Sequence, residues 1–258
     1  MYKIKVDSHV HSILTNHAYS TIEENAIHAK KNGIKAIAIT DHFGLLVEEK
    51  QNIHYIVSSI VNRKILPKKM HGVYIIKGVE MDIIDHNGNL PFANVPYLLD
   101  KDKSILEAVN SHCDIVIASV HPTEHIIPRL ASEHTHMYIK ALQNPLVNII
   151  GHMGRSAVLY NIKYDIQEIL KAARDNNKAI EINGESLKNS EATRACIKIA
   201  EKCAEENVYI TIGSDAHCAY SIGDFTNVYK LLKEIHFPKK LILNTDCKKF
   251  ADFFKFKL

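Results

Sequence analysis

The chain has 258 residues, 46% of them hydrophobic, with 32 basic and 29 acidic side chains and a formal charge of +3. That length allows one or two domains, but α/β barrels of this size are commonly one, and residues 1–258 are expected to fold as a single domain around a large core. Balanced charge argues against nucleic acid or a membrane as partner, no apolar run is long enough to span a bilayer, and Met1 to Asp7 lacks the apolar core of a signal peptide, so the expected location is cytoplasmic.

A short apolar run, Ile4 to Val6, leads into Asp7-Ser8-His9-Val10-His11. In an extended chain side chains at i and i+2 point the same way. His9 and His11 therefore present two imidazoles to one side of a strand, the beginning of a metal site. The polar loop from Ser12 to Tyr19 contains His17. Ser20-x-x-Glu23 and Thr21-x-x-Glu24 both fit a capping box for the helix that follows, and Gly33 stops it. Ala36 to Ile39 reads as a strand buried on both faces and runs into Thr40-Asp41-His42. Strand, helix and strand in about 35 residues make a right-handed βαβ unit.

Residues 48–66 are expected to be helical, ended by Pro67. Val73 to Ile76 is the third strand and reaches Glu80 past Gly78; Asp85 to Asn89 reads as a turn of a surface hairpin. Ser104-x-x-Glu107 caps a short helix ending near His112. Ile115 to Ala118 is the fourth strand and delivers His121. An irregular, partly helical segment, 123–143, carries Arg129, His134 and His136. Val147 to Ile150 delivers His152, and Asp165 caps a helix ending at Asn176-Asn177. Ala179 to Ile182 ends at Asn183; a helix over 190–206 follows; Val208 to Ile212 delivers Ser214-Asp215-Ala216-His217. After a helix over 224–235, Leu241 to Leu243 is a short eighth strand or a connector. Phe250, Phe253 and Phe254, at i, i+3 and i+4, mark a terminal helix docked on the body, with its lysines in solvent.

Alternating strands and helices imply a parallel sheet covered by helices, closed into a barrel at this length. The polar residues fall at or just past the carboxyl ends of the strands, which in a closed barrel share the rim where active sites sit. Of sixteen histidines, His9, His11, His17, His42, His121, His152 and His217 take such positions or lie in the first loop. With Glu80 and Asp215 they are too many for one zinc and suit two or three metals. Imidazole-rich ligation is compatible with zinc, manganese or iron. Asp41, beside His42, is expected to orient an imidazole rather than to bind metal, and Asp7 to act similarly or in a turn. His28, His54, His112 and His236 read as ordinary helix residues, His71 and His86 as loop residues, and His125, His134 and His136 as bystanders. The five cysteines form no C-x-x-C pair and read as reduced thiols, Cys218 included.

Asp7-x-His9-x-His11, His17, Thr40-Asp41-His42, Glu80, His121, His152 and Ser214-Asp215-Ala216-His217 together resemble the PHP (polymerase and histidinol phosphatase) domain family over nearly the whole chain. The stretch Thr15 to Thr21 and the tract Ile180 to Asn183 are similar to its YcdX-like stand-alone phosphatase branch. The loops Pro122-Thr123-Glu124 and Met153-Gly154-Arg155 depart from that branch. The resemblance implies a distorted (β/α)7 TIM-like barrel, with Leu241 to Leu243 as a connector. It also implies three divalent metal ions, zinc first. One would take His9, His11, Glu80 and Asp215; a second would share Glu80 and add His121 and His152; the third would take His17, His42 and His217.

The expected activity is metal-dependent hydrolysis of a small-molecule phosphate monoester by a metal-bridging hydroxide. Asp215 or His217 would pass a proton to the leaving oxygen, and Arg155, ahead of Arg129 and Lys188, would clamp the phosphate. Rival readings are a nucleotide or nucleic-acid phosphodiesterase, an amidohydrolase-like hydrolase of C–N or ester bonds, and a non-catalytic metal scaffold. A homo-oligomer is compatible with all of them.

Overall fold

The structure is a computed structural model that describes residues 2–44, 53–121 and 130–258. Its barrel strands are β1 (Val6–Val10), β2 (Ala36–Ile39), β3 (Val73–Asp82), β4 (Ile115–Ser119), β5 (Ile149–Ile150), β6 (Ala179–Asn183) and β7 (Ile210–Gly213). They pair in chain order, every neighbour parallel. All residues of β1, β2, β4, β6 and β7 are buried, as helices covering the outer face of a closed sheet require. The helices are α1 (Ile22–Lys31), α2 (Ile53–Val61), α3 (Ile105–Asn110), α4 (Ala131–Gln143), α5 (Met153–Leu159), α6 (Ile166–Asp175), α7 (Ser190–Glu205), α8 (Thr226–Glu234) and α9 (Cys247–Phe254).

The sheet closes where β7 meets β1. Asp215 N donates to His9 O at 2.9 Å and His11 N to Ala216 O at 2.9 Å, with a parallel bridge between Val10 and Ala216. Deeper in the seam, the buried side chain of Asn244 takes the place of a strand. Its Oδ1 accepts from Ile212 N (2.8 Å), and its Nδ2 donates to Val6 O and Ile212 O (both 2.9 Å). Buried Asp7 adds a third tie, accepting from Ser214 N at 2.9 Å and Gly223 N at 3.0 Å. The barrel is therefore a distorted (β/α)7 TIM-like barrel.

Period-two alternation sorts each strand into an outer and a lumenal face. Inside, an apolar cluster of Val6, Ala36, Ala38, Ile76, Ile115, Ile117 and Ala179 fills the amino-terminal half, stoppered by Phe250 and Phe254 of α9. The small residues of β2 make room for those two rings. Continuing two by two, Ile76 gives way to Gly78, Glu80 and Asp82, Ile117 to Ser119 and His121, and Ala179 to Glu181 and Asn183. A register shift between Asp7 and Val10 in β1 turns His9 and His11 inward as well.

Most expected elements are present, and the differences have physical reasons. β3 runs on to Asp82, because its lumenal polar residues continue the alternation. Of Val147 to Ile150 only Ile149 and Ile150 pair as strand. Asp85 to Asn89 is a turn in which Asp85 Oδ1 accepts from Asn87 N and Asn89 N, but the hairpin lies elsewhere, between Pro96–Tyr97 and Asp100–Ser104. Thr21, not Ser20, completes the first capping box; Ser20 Oγ instead accepts from Ala219 N at 2.8 Å. Helix α5 was not foreseen, since His152 at its start provides no side-chain cap. Ile242 makes one parallel bridge to Ile210 between two 3-10 turns, so Leu241 to Leu243 is a connector. The first part of the 48–66 helix, the loop Pro122-Thr123-Glu124, His125 and Arg129 lie outside the described residues. Among the described residues no helix is long and apolar enough to cross a membrane.

Replacing Asn244 with Ala leaves buried partners on β1 and β7 unsatisfied, each worth ~1–3 kcal/mol. Urea unfolding should show a loss of about 2–4 kcal/mol, with the midpoint falling and the slope unchanged.

Candidate metal centre

Glu80, fully buried on the lumenal face of β3, is the hub of the carboxyl-terminal rim. Its Oε1 lies 2.9 Å from His152 Nε2 and 3.6 Å from His121 Nε2. Its Oε2 lies 2.8 Å from His42 Nδ1, 3.2 Å from His9 Nε2 and 3.5 Å from His11 Nε2. Asp215 Oδ1 completes the buried group, 3.2 Å from His11 Nε2 and 3.6 Å from His9 Nε2. On the open side His217 Nε2 lies 3.0 Å from His17 Nε2, and the His217 ring stacks on His11 with centroids 4.1 Å apart. All nine groups singled out as ligands from the sequence thus meet at one end of the barrel. Two of them, His152 (φ 23°) and Asp215 (φ 58°), hold positive φ angles without being glycine. Such strain accumulates where a side chain must be aimed against backbone preference.

A ring of polar groups orients the imidazoles from behind. Glu181 Oε1 meets His9 Nδ1 at 2.8 Å while its Oε2 accepts from His152 N at 2.9 Å. Asp82 Oδ1 meets His121 Nδ1 at 2.7 Å, and Ser156 Oγ meets His152 Nδ1 at 3.3 Å. Thr15 Oγ1 meets His11 Nδ1 at 3.1 Å and donates to Asp41 Oδ1 at 2.8 Å. Asp41 is itself held by Ser12 and by a buried ion pair with Arg63. The imidazole that Asp41 backs, through Thr15, is that of His11 rather than of its neighbour His42. Asp7 is a seam residue rather than a rim group. Gly213 is required beside this ring, since a Cβ there would overlap Glu181 Oε1 and the Cβ of His9.

Sequence reasoning passed over Glu181, Asp82, Thr15 and Ser156 as site groups. Two carried a readable signal: Asp82 is i+2 from Glu80, and Glu181 is a charge inside an otherwise apolar strand.

The electrostatics suit cations. Burial pushes the imidazole of His11 down to about 3, and the nearby His42 adds to this. His17 is pushed down to about 4 by burial, then by His42 and His217. Both are neutral, with lone pairs available. Burial alone would raise Glu80 and Asp215, but His9 and the other facing imidazoles hold both carboxyls well below the usual range. His9 goes the other way: burial opposes its charge, yet Glu181, Glu80 and Asp215 raise it well above the ordinary value. A divalent cation would supply the positive charge that these carboxylates otherwise draw from His9. The clearest sign of fit is Glu80 Oε2 and His42 Nδ1. Both are buried and 2.8 Å apart, yet neither makes an aligned hydrogen bond. Two lone-pair groups set side by side without sharing a proton match ligands of neighbouring cations rather than a hydrogen-bonded pair. Three triads have ligand atoms within 4.8 Å of one another: His9, His11 and Glu80; His42, Glu80 and His121; His11, His42 and His217.

Arg155, in the first turn of α5, reaches the rim with NH1 3.5 Å from Asp215 Oδ2 and a side chain 39% exposed. Lys188 pairs with Glu185 at 2.6 Å and is 53% exposed. Cys218 is a free, half-buried thiol whose sulfur lies 4.0 Å from Ser20 Oγ.

Residues 7–185 match the PHP domain. A probable phosphatase of Acetivibrio thermocellus is 37% identical over 258 residues, spanning 99% of this chain and 97% of its own. A probable phosphatase of Clostridium novyi is 35% identical over 257 residues, spanning 99% and 96%. Among solved structures, histidinol phosphate phosphatase of Lactococcus lactis, complexed with zinc, L-histidinol and phosphate, superposes with a TM-score of 0.60 at 20% identity, covering 91% of this chain and 94% of that one. A Xaa-Pro dipeptidase superposes with a TM-score of 0.53 at 13% identity, covering 98% and 75%; both likenesses speak to the barrel alone. With its match to the domain beginning at the Asp7-x-His9-x-His11 strand and relatives aligned from end to end, this chain belongs to the PHP domain family.

Proposed function

We propose that this enzyme hydrolyses phosphate monoesters of small molecules at a centre of three divalent metal ions. The chain is a phosphatase by family and by its full-length relatives; the ligand assignment and the substrate class are the proposal. The observation that carries it is Glu80, whose two oxygens face imidazoles from four other strand ends: β1, β2, β4 and β5. His9, His11, Glu80 and Asp215 would hold one ion, Glu80, His121 and His152 a second, and His17, His42 and His217 the third. Zinc is the first choice for so imidazole-rich a set, with manganese and iron as alternatives. Bound there, the ions would supply Lewis acidity, neutralising phosphoryl charge and making an oxygen nucleophile available near neutral pH.

The chain's own groups do the rest. Arg155 stands at the open edge beside Asp215, where a guanidinium can grip a phosphoryl group through two parallel hydrogen bonds. His217 Nδ1 bonds the carbonyl of Asp215 at 2.9 Å, and its ring is 27% exposed. Of the two expected proton carriers, Asp215 would relay a proton from solvent to the leaving oxygen through Oδ2, because both ring nitrogens of His217 are engaged, Nδ1 by that carbonyl and Nε2 by the third ion. Glu181, Asp82 and Thr15 keep Nε2 of His9, His121 and His11 aimed at the shared centre.

Purified protein loaded with zinc or manganese should hydrolyse p-nitrophenyl phosphate, lose that activity to a chelator and regain it on metal return. Faster turnover of bis(p-nitrophenyl) phosphate or single-stranded DNA would replace this reading with a diesterase. Glu80→Gln should lower metal content and phosphatase rate together, by about tenfold or more; full activity in that variant would discard the bridging role. Arg155→Met should raise KM for phosphomonoesters about tenfold, the equivalent of ~1.4 kcal/mol, while metal content stays unchanged.

A further inference from the structure

We infer that the three metal positions differ in hold. The ion taken by His17, His42 and His217 exchanges freely with solution, while the two bridged by Glu80 are retained. This deepens the trinuclear reading and depends on it. The contrast lies in what stands behind each imidazole. His9 and His11 are fully buried, as is Glu80 between them. His9 leans on the buried carboxylate of Glu181, and His11 on Thr15, itself held by Asp41 and, behind that, Arg63. In the second set His121 leans on Asp82, and His152 is fixed twice, through Ser156 to its ring and through Glu181 to its backbone. Glu181 thus braces one ligand of each retained ion.

The third set lacks such bracing. His17 is exposed, and its Nδ1 leans on Asn16, a neighbouring exposed amide, at 2.8 Å. His217 leans on a backbone carbonyl at 2.9 Å, with Asp215 Oδ1 farther off at 3.6 Å, and its ring is 27% exposed. His42 has Glu80 at Nδ1, a carboxylate the other two positions already claim. All three residues of this set are neutral ligands, whereas the first set includes two carboxylates and the second one. A divalent ion gains less from uncharged donors in contact with water than from carboxylates screened from it. Outer partners of ligating histidines are worth about 10–100-fold in affinity. The third position should therefore bind at least tenfold more weakly than the other two.

The test counts metal rather than turnover. Protein saturated with zinc is dialysed against chelators of increasing strength, and zinc per chain is measured by mass spectrometry alongside the melting temperature. The expected course is a plateau at two ions per chain after a weak chelator, with no change in melting temperature, then loss of both remaining ions together with a fall in melting temperature. His17→Asn should start at that plateau and otherwise follow the wild type. Glu181→Gln should lose the plateau, releasing its retained ions at least tenfold more readily. Release of all three ions in one step, or a His17→Asn protein depleted of every ion, would overturn the ranking while leaving the trinuclear reading in place. A wild-type protein that never holds more than two ions at saturating zinc would overturn both.

Discussion

The seam between the first and seventh strands is the constraint on which everything else depends. His9 and His11 lie on one side of it, Asp215 and His217 on the other, and more than two hundred residues separate the two pairs in the chain. Backbone bonds from Asp215 to His9 and from His11 to Ala216 bring Asp215 Oδ1 to 3.2 Å from His11 Nε2 and stack His217 on His11. An open sheet with the same strands would leave these groups at opposite edges. Catalytic geometry at the top and the inserted amide of Asn244 below are thus two parts of one closure.

Above this seam the barrel lumen changes character along each strand. Its lower half is filled with aliphatic side chains and two phenylalanine rings, and its upper half with carboxylates and imidazoles. In most strands the change needs only period-two alternation carried past the apolar run; β1 adds the register shift between Asp7 and Val10. The low-polarity floor matters for the chemistry above it, because charges near it interact more strongly than in water. The ionisable groups above it tolerate burial because Glu80 and Asp215 each face several imidazoles, and buried His9, His11 and His152 each have a partner on the second nitrogen.

Much of this was legible in the sequence. Short apolar runs, most of them followed by a histidine or carboxylate, carried the strand order, the barrel and eight of the nine groups that meet at the rim, because a parallel barrel converts strand ends into a rim; His17 lies in the first loop instead. The outer ring was less legible. Glu181 and Asp82 could be read from parity, but Thr15 linking Asp41 to His11 could not, because that contact depends on how the first loop folds back over the second strand. Helix α5 was hidden for a related reason: His152 turns the chain with a positive φ angle and offers no side-chain cap. The hairpin from Pro96 to Ser104 is largely polar and partly exposed, so periodicity carries no signal there.

The position of the stopper in the chain has a consequence for biosynthesis. Asn244, Phe250 and Phe254 all follow the seventh strand, yet they bond to or pack on residues of the first two. A nascent chain can form its successive βαβ units as they emerge, but the lower part of the seam is not filled until Asn244 and the two rings are available. Contacts between such distant residues are slow to form. The exposed edges of the first and seventh strands are open to misplaced pairing during that interval. Completion of the seam, and with it the gathering of the imidazoles, therefore waits on residues made after all seven strands.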